Sequence, residues 1–324
     1  MKTEIIHSYT PRDGYFIDSI LPLAENKTAI FTSKYKEPSY LDILSFNSLT
    51  LSIDLSKIPN FDTSSYYNHY FDLGGKFGLI HKVDELLLFD IDNPNNCEFV
   101  KISNPFKEDK HGRKQNVERA SVFLIDNKIL LGLSSFFHYD FPPRYLAYLE
   151  ISKSRKLLAF GRQETIAKWH NLFELPKKHF PETEFGKFND DSDWLNIRAL
   201  TQIENNILVH TTGGDSTRLK SGNDFEFNII AKFDRKFNWI ENFEIEKGYG
   251  KFSTDKKHFI QHPSKHRNKL FFYETKNMEI DFDISLTAKQ NLGQEKAVQI
   301  QGDKFNNTLF IYNHRFLNIC KLID

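Results

Sequence analysis

Three histidines, His258, His262 and His266, recur at every fourth residue, the spacing that on a helix turns imidazoles toward one metal ion. The helix premise is poor, because His258, Phe259 and Ile260 read as strand, Pro263 interrupts, and no Cys or paired carboxylate completes a ligand set. His262, His266 and Arg267 are better read as a basic loop. Asp190, Asp191 and Asp193 beside Trp194 resemble the start of a calcium loop. Counted from Asp190, however, the sixth and twelfth places hold Leu195 and Thr201, where an EF-hand needs glycine and glutamate. No bound metal is expected. No G-x-S-x-G elbow, P-loop or dinucleotide fingerprint occurs either, so no cofactor and no linear catalytic motif is expected.

Charge excludes further classes. The 324 residues carry 43 Lys and Arg against 43 Asp and Glu, so no global field draws the chain to nucleic acid or an anionic membrane. The basic run Lys110, His111, Gly112, Arg113 and Lys114 lacks interleaved aromatics and reads as a solvated loop. Mean hydropathy is -0.50, and the longest apolar runs fall far short of the roughly 20 residues of a membrane span. Aromatic residues make up 15%, including 31 Phe, which excludes a disordered chain. Cys97 and Cys320 lie far apart in strand-like runs, which fits reduced thiols better than a disulfide framework. The first 13 residues hold no apolar stretch of signal-peptide length. A cytoplasmic location is expected.

The elements that position these residues are short. Runs of four to eight residues rich in Ile, Leu, Phe and Tyr alternate with polar clusters, and helical periodicity is nearly absent. A hairpin turn recurs six times, beginning at Glu25, Gly74, Asp126, Glu204, Asp255 and Phe305, at separations of 49, 52, 78, 51 and 50. Four spacings near 50 suit a four-stranded blade. The long one reads as an insertion over residues 165–193, with a short helix over 165–174 that would put Ile166, Trp169 and Phe173 on one side. That side either packs on the body of the protein or meets a partner.

Within a unit the runs are legible. The third gives strands at 120–125, 129–133, 145–151 and 156–161; the sixth has only three, and the unpartnered run 2–8 supplies the fourth. The chain thus resembles the six-bladed β-propeller architecture: an all-β single domain over 1–324, of four-stranded antiparallel blades, closed by the N-terminal strand joining the C-terminal blade. Blades fall at about 14–56, 66–103, 117–163, 194–245, 248–286 and 296–324 plus 1–9. Neither recurrent Gly-His and Trp-Asp pairs nor a double Gly at a fixed place marks a named family.

The architecture implies a ligand face where the loops between blades and those joining second to third strands gather around a pore. Aligned on their turns, the units bring Asp18, Tyr67, Arg119, Ile197, Gly248 and Val298 into one register, with Ser19, Asn68, Ala120, Arg198, Tyr249 and Gln299 next. One carboxylate among them argues against a paired-carboxylate hydrolase. The loop 134–144 reads SSFFHYDFPPR, and aromatics with an Arg are the composition of a binding hot spot, although Phe136, Phe137 and Phe141 would equally cover blade ends. The expected partner-binding residues are Phe137, His138, Tyr139, Arg144, Trp169, Asp191 and Arg218. The leading expectation is a non-catalytic scaffold with a protein partner and no nucleic-acid or membrane ligand, monomeric on its own, in the role of a bacterial immunity or inhibitor protein. The alternative is a propeller hydrolase or lyase acting on a sugar or lactone at the pore.

Overall fold

The computed structural model describes residues 2–24, 26–45, 48–61, 70–72, 76–81, 85–90, 92–101, 119–125, 128–134, 145–150, 170–171, 193–215, 225–236, 238–266, 268–286 and 300–323. After β1 (Lys2–Tyr9), the first sheet comprises β2 (Phe16–Ala24), β3 (Lys27–Ser33), β4 (Tyr40–Ser45) and β5 (Ser48–Asp54). The second comprises β6 (Tyr70–Asp72), β7 (Lys76–His81), β8 (Glu85–Asp90) and β9 (Cys97–Lys101). The third holds β10 (Arg119–Ile125), β11 (Lys128–Ser134), β12 (Tyr145–Glu150) and β13 (His170–Asn171), and the fourth β14 (Asp193–Ile203), β15 (Asn206–Asp215), β16 (Phe225–Asp234) and β17 (Trp239–Glu244). The fifth is β18 (Gly248–Phe252), β19 (His258–Pro263), β20 (Lys269–Glu274) and β21 (Ile280–Ser285). The sixth joins β22 (Gln301–Phe305), β23 (Thr308–Tyr312) and β24 (Leu317–Ile323) to β1, in the order β1, β24, β23, β22.

Five sheets are four-stranded antiparallel meanders that follow one another along the chain, and the sixth adds β1 to three consecutive strands, so the expected all-β fold of propeller blades holds. The N-terminal strand pairs where the sequence puts it, with Lys2 opposite Ile323 and Tyr9 opposite Leu317. In the third sheet the described fourth strand is His170–Asn171, paired with Leu146 and Tyr145; the expected strand 156–161 lies outside the described residues. His170 and Asn171 therefore extend as strand inside the run 165–174 that was expected to be helical. No helix among the described residues is long and apolar enough to cross a membrane.

Contacts divide the chain into two units. One comprises Met1–Asp72, Phe89–Cys97 and Glu246–Asp324, the other Leu73–Leu88 and Glu98–Ile245. In the second unit, the middle strands of the fourth sheet supply the described core: Ile207, Leu208 and Val209 of β15 and Ile229, Ile230 and Ala231 of β16 are buried.

In the first unit, β23 explains why a propeller sequence shows unbroken apolar runs. Its five residues are all buried, and successive side chains point to opposite faces. Leu309 and Ile311 pack with Ile260, Leu270 and Phe272 of the fifth sheet, whereas Phe310 and Tyr312 pack with Ile17, Ile20 and Ile30 of the first. Each such buried side chain contributes about 1.5–3 kcal/mol. Gly302 of β22 permits the close approach on one side, since a Cβ there would lie 2.8 Å from Ile260 Cγ2.

A buried charge cluster pins the same two sheets. Asp303 of β22, 1% exposed, accepts from the Thr254 backbone N–H at 2.9 Å, Thr254 Oγ1 at 3.1 Å and the Lys304 backbone N–H at 2.7 Å. It pairs with Lys251 Nζ at 2.5 Å. Beside it, Lys304 Nζ meets Asp255 at 2.9 Å. Burial alone would lower the Lys251 pKa and raise that of Asp255. The Asp303 charge instead holds the Lys251 ammonium above its usual range, and hydrogen bonds from Ser253 and Lys304 hold the Asp255 carboxyl below its own.

The outer strands are mostly exposed, as in β5 and β21, and four of them carry an extra residue. Ile6 of β1, Thr50 of β5, Ile240 of β17 and Asp281 of β21 each fall between consecutive register pairs with the neighbouring strand. Bulges twist an edge and interrupt its row of free backbone groups, which discourages pairing with another chain.

Candidate loop-end binding site

In the first unit, the segments 10–15, 34–39, 264–268 and 313–316 lie at the ends of strands where β2, β18 and β22 begin. Their conformations are fixed by short-range bonds. The Tyr15 backbone N–H reaches Arg12 O at 2.9 Å, and that of Glu37 reaches Lys34 O at 3.0 Å. Gly14 and Lys36 take left-handed backbone angles, φ 74° and φ 62°. Buried Asn313 accepts from the backbone N–H groups of Arg315 at 2.7 Å and Phe316 at 3.1 Å, an Asx turn. His314 ties this turn to the first sheet: its carbonyl accepts from Ile17 N–H at 2.7 Å, and Nδ1 donates to Ile17 O at 3.0 Å.

The anchor is Asp42. It stands in the apolar run Leu41, Asp42, Ile43, Leu44 of β4, with its side chain 2% exposed. Tyr9 Oη donates to it at 2.7 Å, Arg12 Nη1 and Nη2 at 3.0 and 2.9 Å, and Ser52 Oγ at 2.7 Å. Four donors fill the four lone-pair sites of a carboxylate. The arrangement suppresses chemistry: burial, the hydrogen bond to Asp42 and its negative charge all raise the Tyr9 phenol pKa. Burial would lower that of Arg12, but the Asp42 contacts raise it. Both shifts keep Tyr9 and Arg12 protonated near neutrality.

What the anchor does is aim aromatic rings. Arg12 Cζ sits 4.1 Å from the Tyr40 ring centroid, Tyr40 meets Tyr15 edge-on at 5.5 Å, and Lys34 Nζ lies 5.6 Å from the Tyr15 centroid. Phe16 and Tyr35 stand at the rim, 49% and 68% exposed, and Lys36 Nζ is 5.2 Å from the Tyr35 ring. Among the described residues of the first unit, the other exposed large apolar side chains, Ile6, Leu49, Leu51, Ile280 and Ile323, lie on outer strands or on β24. Stacked cations and aromatics of this kind attract by about 0.5–2 kcal/mol per pair and leave the surface preformed.

None of the expected partner-binding residues can be placed against this site. Phe137, His138, Tyr139, Arg144, Trp169, Asp191 and Arg218 all lie outside the described residues, as do Tyr67, Asn68, Val298 and Gln299 of the aligned register. Between the first and fourth sheets, that register is off by one. Asp18 of β2 and Arg198 of β14 are both bulged residues, between Ile17 and Ser19 and between Ile197 and Ala199. Asp18 therefore corresponds to Arg198, not to Ile197. Each bonds a hydroxyl of the next strand: Ser33 Oγ donates to Asp18 at 2.9 Å, and Arg198 Nε to Thr212 Oγ1 at 3.0 Å.

The histidine series is strand at its start. His258 is buried in β19, its Nε2 2.9 Å from Asp281 Oδ2, with Phe272 and Phe282 at 5.9 and 5.4 Å. His266 lies beyond the strand against Phe271. Among the described residues, no three His, Cys, Asp or Glu side chains gather where they could hold a metal ion. Neither cysteine forms a disulfide, and burial pushes the Cys97 thiol pKa up.

Arg12 and Asp42 were missed from sequence. The available signal was the carboxylate itself, an acid in the middle of a strand buried on both faces, which requires charged partners nearby. No family model matches the sequence, and no curated protein matches it. Among solved structures, the chain is similar to the WD40 β-propeller domain of Doa1, with a TM-score of 0.49 and 10% identity over 99% of this chain and 97% of that one.

Proposed function

We propose that this chain is a non-catalytic binding scaffold whose loop end, in the first unit, takes a protein partner. One observation carries the reading: exposed Phe16 and Tyr35 adjoin in sequence Tyr15 and Lys34 of a cation-stacked aromatic cluster whose anchoring carboxylate, Asp42, has every acceptor site filled. A saturated carboxylate can hold a surface in shape, but it has no free lone pair with which to take a proton from a substrate. Rigid aromatic anchors flanked by cations are the groups that dominate protein contacts. The role proposed for such a scaffold is that of an immunity or inhibitor protein, which must bind its partner without transforming it. Phe137, His138, Tyr139, Arg144, Trp169, Asp191 and Arg218 are proposed as further contacts on the same grounds of composition.

The test starts from a partner captured on the full chain from its native cell, identified and purified. Phe16→Ala with Tyr35→Ala is expected to weaken its binding by at least about tenfold, roughly 1.4 kcal/mol, while the melting temperature stays within about 2 °C of the parent. Unaltered affinity would move the site away from this end. A large fall in melting temperature with no specific binding defect would make the two rings structural.

A further inference from the structure

The strand that completes the sixth sheet is fastened at its end to another sheet. No residue of β1 is fully buried. Ile5 and Tyr9 pack against the clusters around Leu309 and Phe310, and Ser8 Oγ donates to Asn318 Oδ1 at 2.7 Å. The bulge at Ile6 interrupts the register with β24. Asp42, on β4 of the first sheet, then takes Tyr9 Oη and both terminal nitrogens of Arg12. Residues 2–12 thus form a strap, paired with the sixth sheet along its length and latched to the first at its end.

A short hinge follows the strap. Asp13 and Gly14 are exposed, and Gly14 takes φ 74° in the turn closed by the Tyr15 N–H bond to Arg12 O. Past the turn, the two His314 bonds hold Ile17 to the body of the protein. Straightened, residues 12–17 reach roughly 17 Å, enough to cross to an adjacent molecule. Without the strap, β24 presents a row of unpaired backbone groups beside its buried Leu317–Cys320 segment, and such an edge recruits another strand. The strand that already fits it in register, bulge and side-chain contacts is β1.

We propose that the β24 edge is a docking site for a second copy of this chain: two copies exchange their straps, each β1 completing the other's sixth sheet, and the Asp42 latch sets how fast they do so. The closed and exchanged forms contain the same strap contacts, so Asp42 stabilises both alike and does not choose between them. It raises the barrier, because the strap must leave its carboxylate before it can cross. The choice falls to the hinge, whose turn exists only in the closed form, and to protein concentration. Exchange needs no ligand at Phe16 and Tyr35, so it is judged apart from the binding role above.

The experiment traps exchange between two forms of the full chain, both carrying Cys97→Ala. One has Ile5→Cys with Cys320→Ala; the other keeps Ile5 and Cys320. Positions 5 and 320 are opposite in the β1–β24 register, where a Cα separation of about 4.5–5.5 Å suits a disulfide. In this mixture that bond forms only when a strap has crossed. Under mild oxidation at high concentration the two forms are expected to yield a covalent heterodimer, and Asp42→Asn in both should speed its appearance at least about tenfold. Arg12→Met opens the latch from the other side and repeats the test should Asp42→Asn fold poorly, as judged by melting temperature. Asp303→Asn weakens the other charge cluster and should leave the rate within about twofold. Gly14→Val cannot hold a positive φ without strain and should shift the chain from monomer to dimer in size-exclusion chromatography. No heterodimer from any pair, equal rates with and without the latch, acceleration by Asp303→Asn as large as by Asp42→Asn, or a monomeric Gly14→Val chain would each overturn the proposal.

Discussion

Asp42 and Asp303 are the same device put to different uses. Both are buried at 1% exposure on a strand, and both pair with a cation and accept several further bonds. Every donor to Asp42 is a side chain, three of the four from residues 9 and 12 at the loop end. Asp303 takes two backbone N–H groups as well as the Lys251 ammonium, and Thr254 and Lys251 come from the neighbouring sheet. A buried charge bonded to backbone cannot move without its sheet moving. One bonded to side chains organises a surface that can be altered with the sheet intact. Similar electrostatics thus yield a structural pin in one place and a platform in the other.

The sharpest way to break this comparison is at Asp303. Asp303→Ala leaves the Lys251 ammonium without its counterion between two packed sheets, and a loss of about 3–5 kcal/mol in urea unfolding is expected. Restoration of most of that loss by adding Lys251→Met would show that the stranded charge was the cause. A loss below about 1 kcal/mol would mean that the cluster is no more than a surface pair.

Asp42→Asn should cost less, about 1–3 kcal/mol, because Tyr9, Arg12 and Ser52 can turn toward water when the carboxylate goes. Its effect should be local: amide exchange accelerates in 10–15 and 34–39, and partner binding at the loop end falls, while β18 and β22 stay protected. Uniform acceleration across the first unit would erase the distinction between pin and platform.

The smallest effect is in pH. The Asp255 carboxyl lies below its usual range because the hydrogen bonds from Ser253 and Lys304 outweigh its burial. The unfolded chain therefore binds that proton more readily, and the stabilisation is present above the ordinary value near 4 and is lost as pH falls below it. Tyr9 is shifted upward by burial and by Asp42, so its contribution is complete below about pH 10 and is lost on going above it. Asp255→Asn should flatten the acid limb of the stability profile and Tyr9→Phe the alkaline limb. An acid limb unchanged in Asp255→Asn would place the acid-sensitive groups elsewhere.

The sheets were legible because their turns carry strong local chemistry. Glu204, Lys256 and Asn306 take positive φ of 51°, 61° and 51° in the first hairpins of the fourth, fifth and sixth sheets, and polar residues at those places punctuate the apolar runs. The outer strand of the third sheet was not, because a strand of two residues has no periodicity to detect. A bulge at Leu23, between Pro22 and Ala24, defeated the register for a related reason: an extra residue shifts every position counted back from the turn, and the first hairpin of the fourth sheet has none there. The loop end escaped notice because Arg12, Tyr40 and Asp42 are adjacent only after β1 has joined the last sheet.

That pairing also orders events in time. On a ribosome, β1 emerges more than three hundred residues before its hydrogen-bonding partner β24. Until then Ile5, which packs on the apolar cluster around Leu309 and Cys320, has no native place to go. The contact is among the most non-local the chain can make, and such contacts slow folding and prolong exposure of partly built states. The other three strands of the sixth sheet are made only after the five sheets between, so the cell has to shelter β1 throughout that interval.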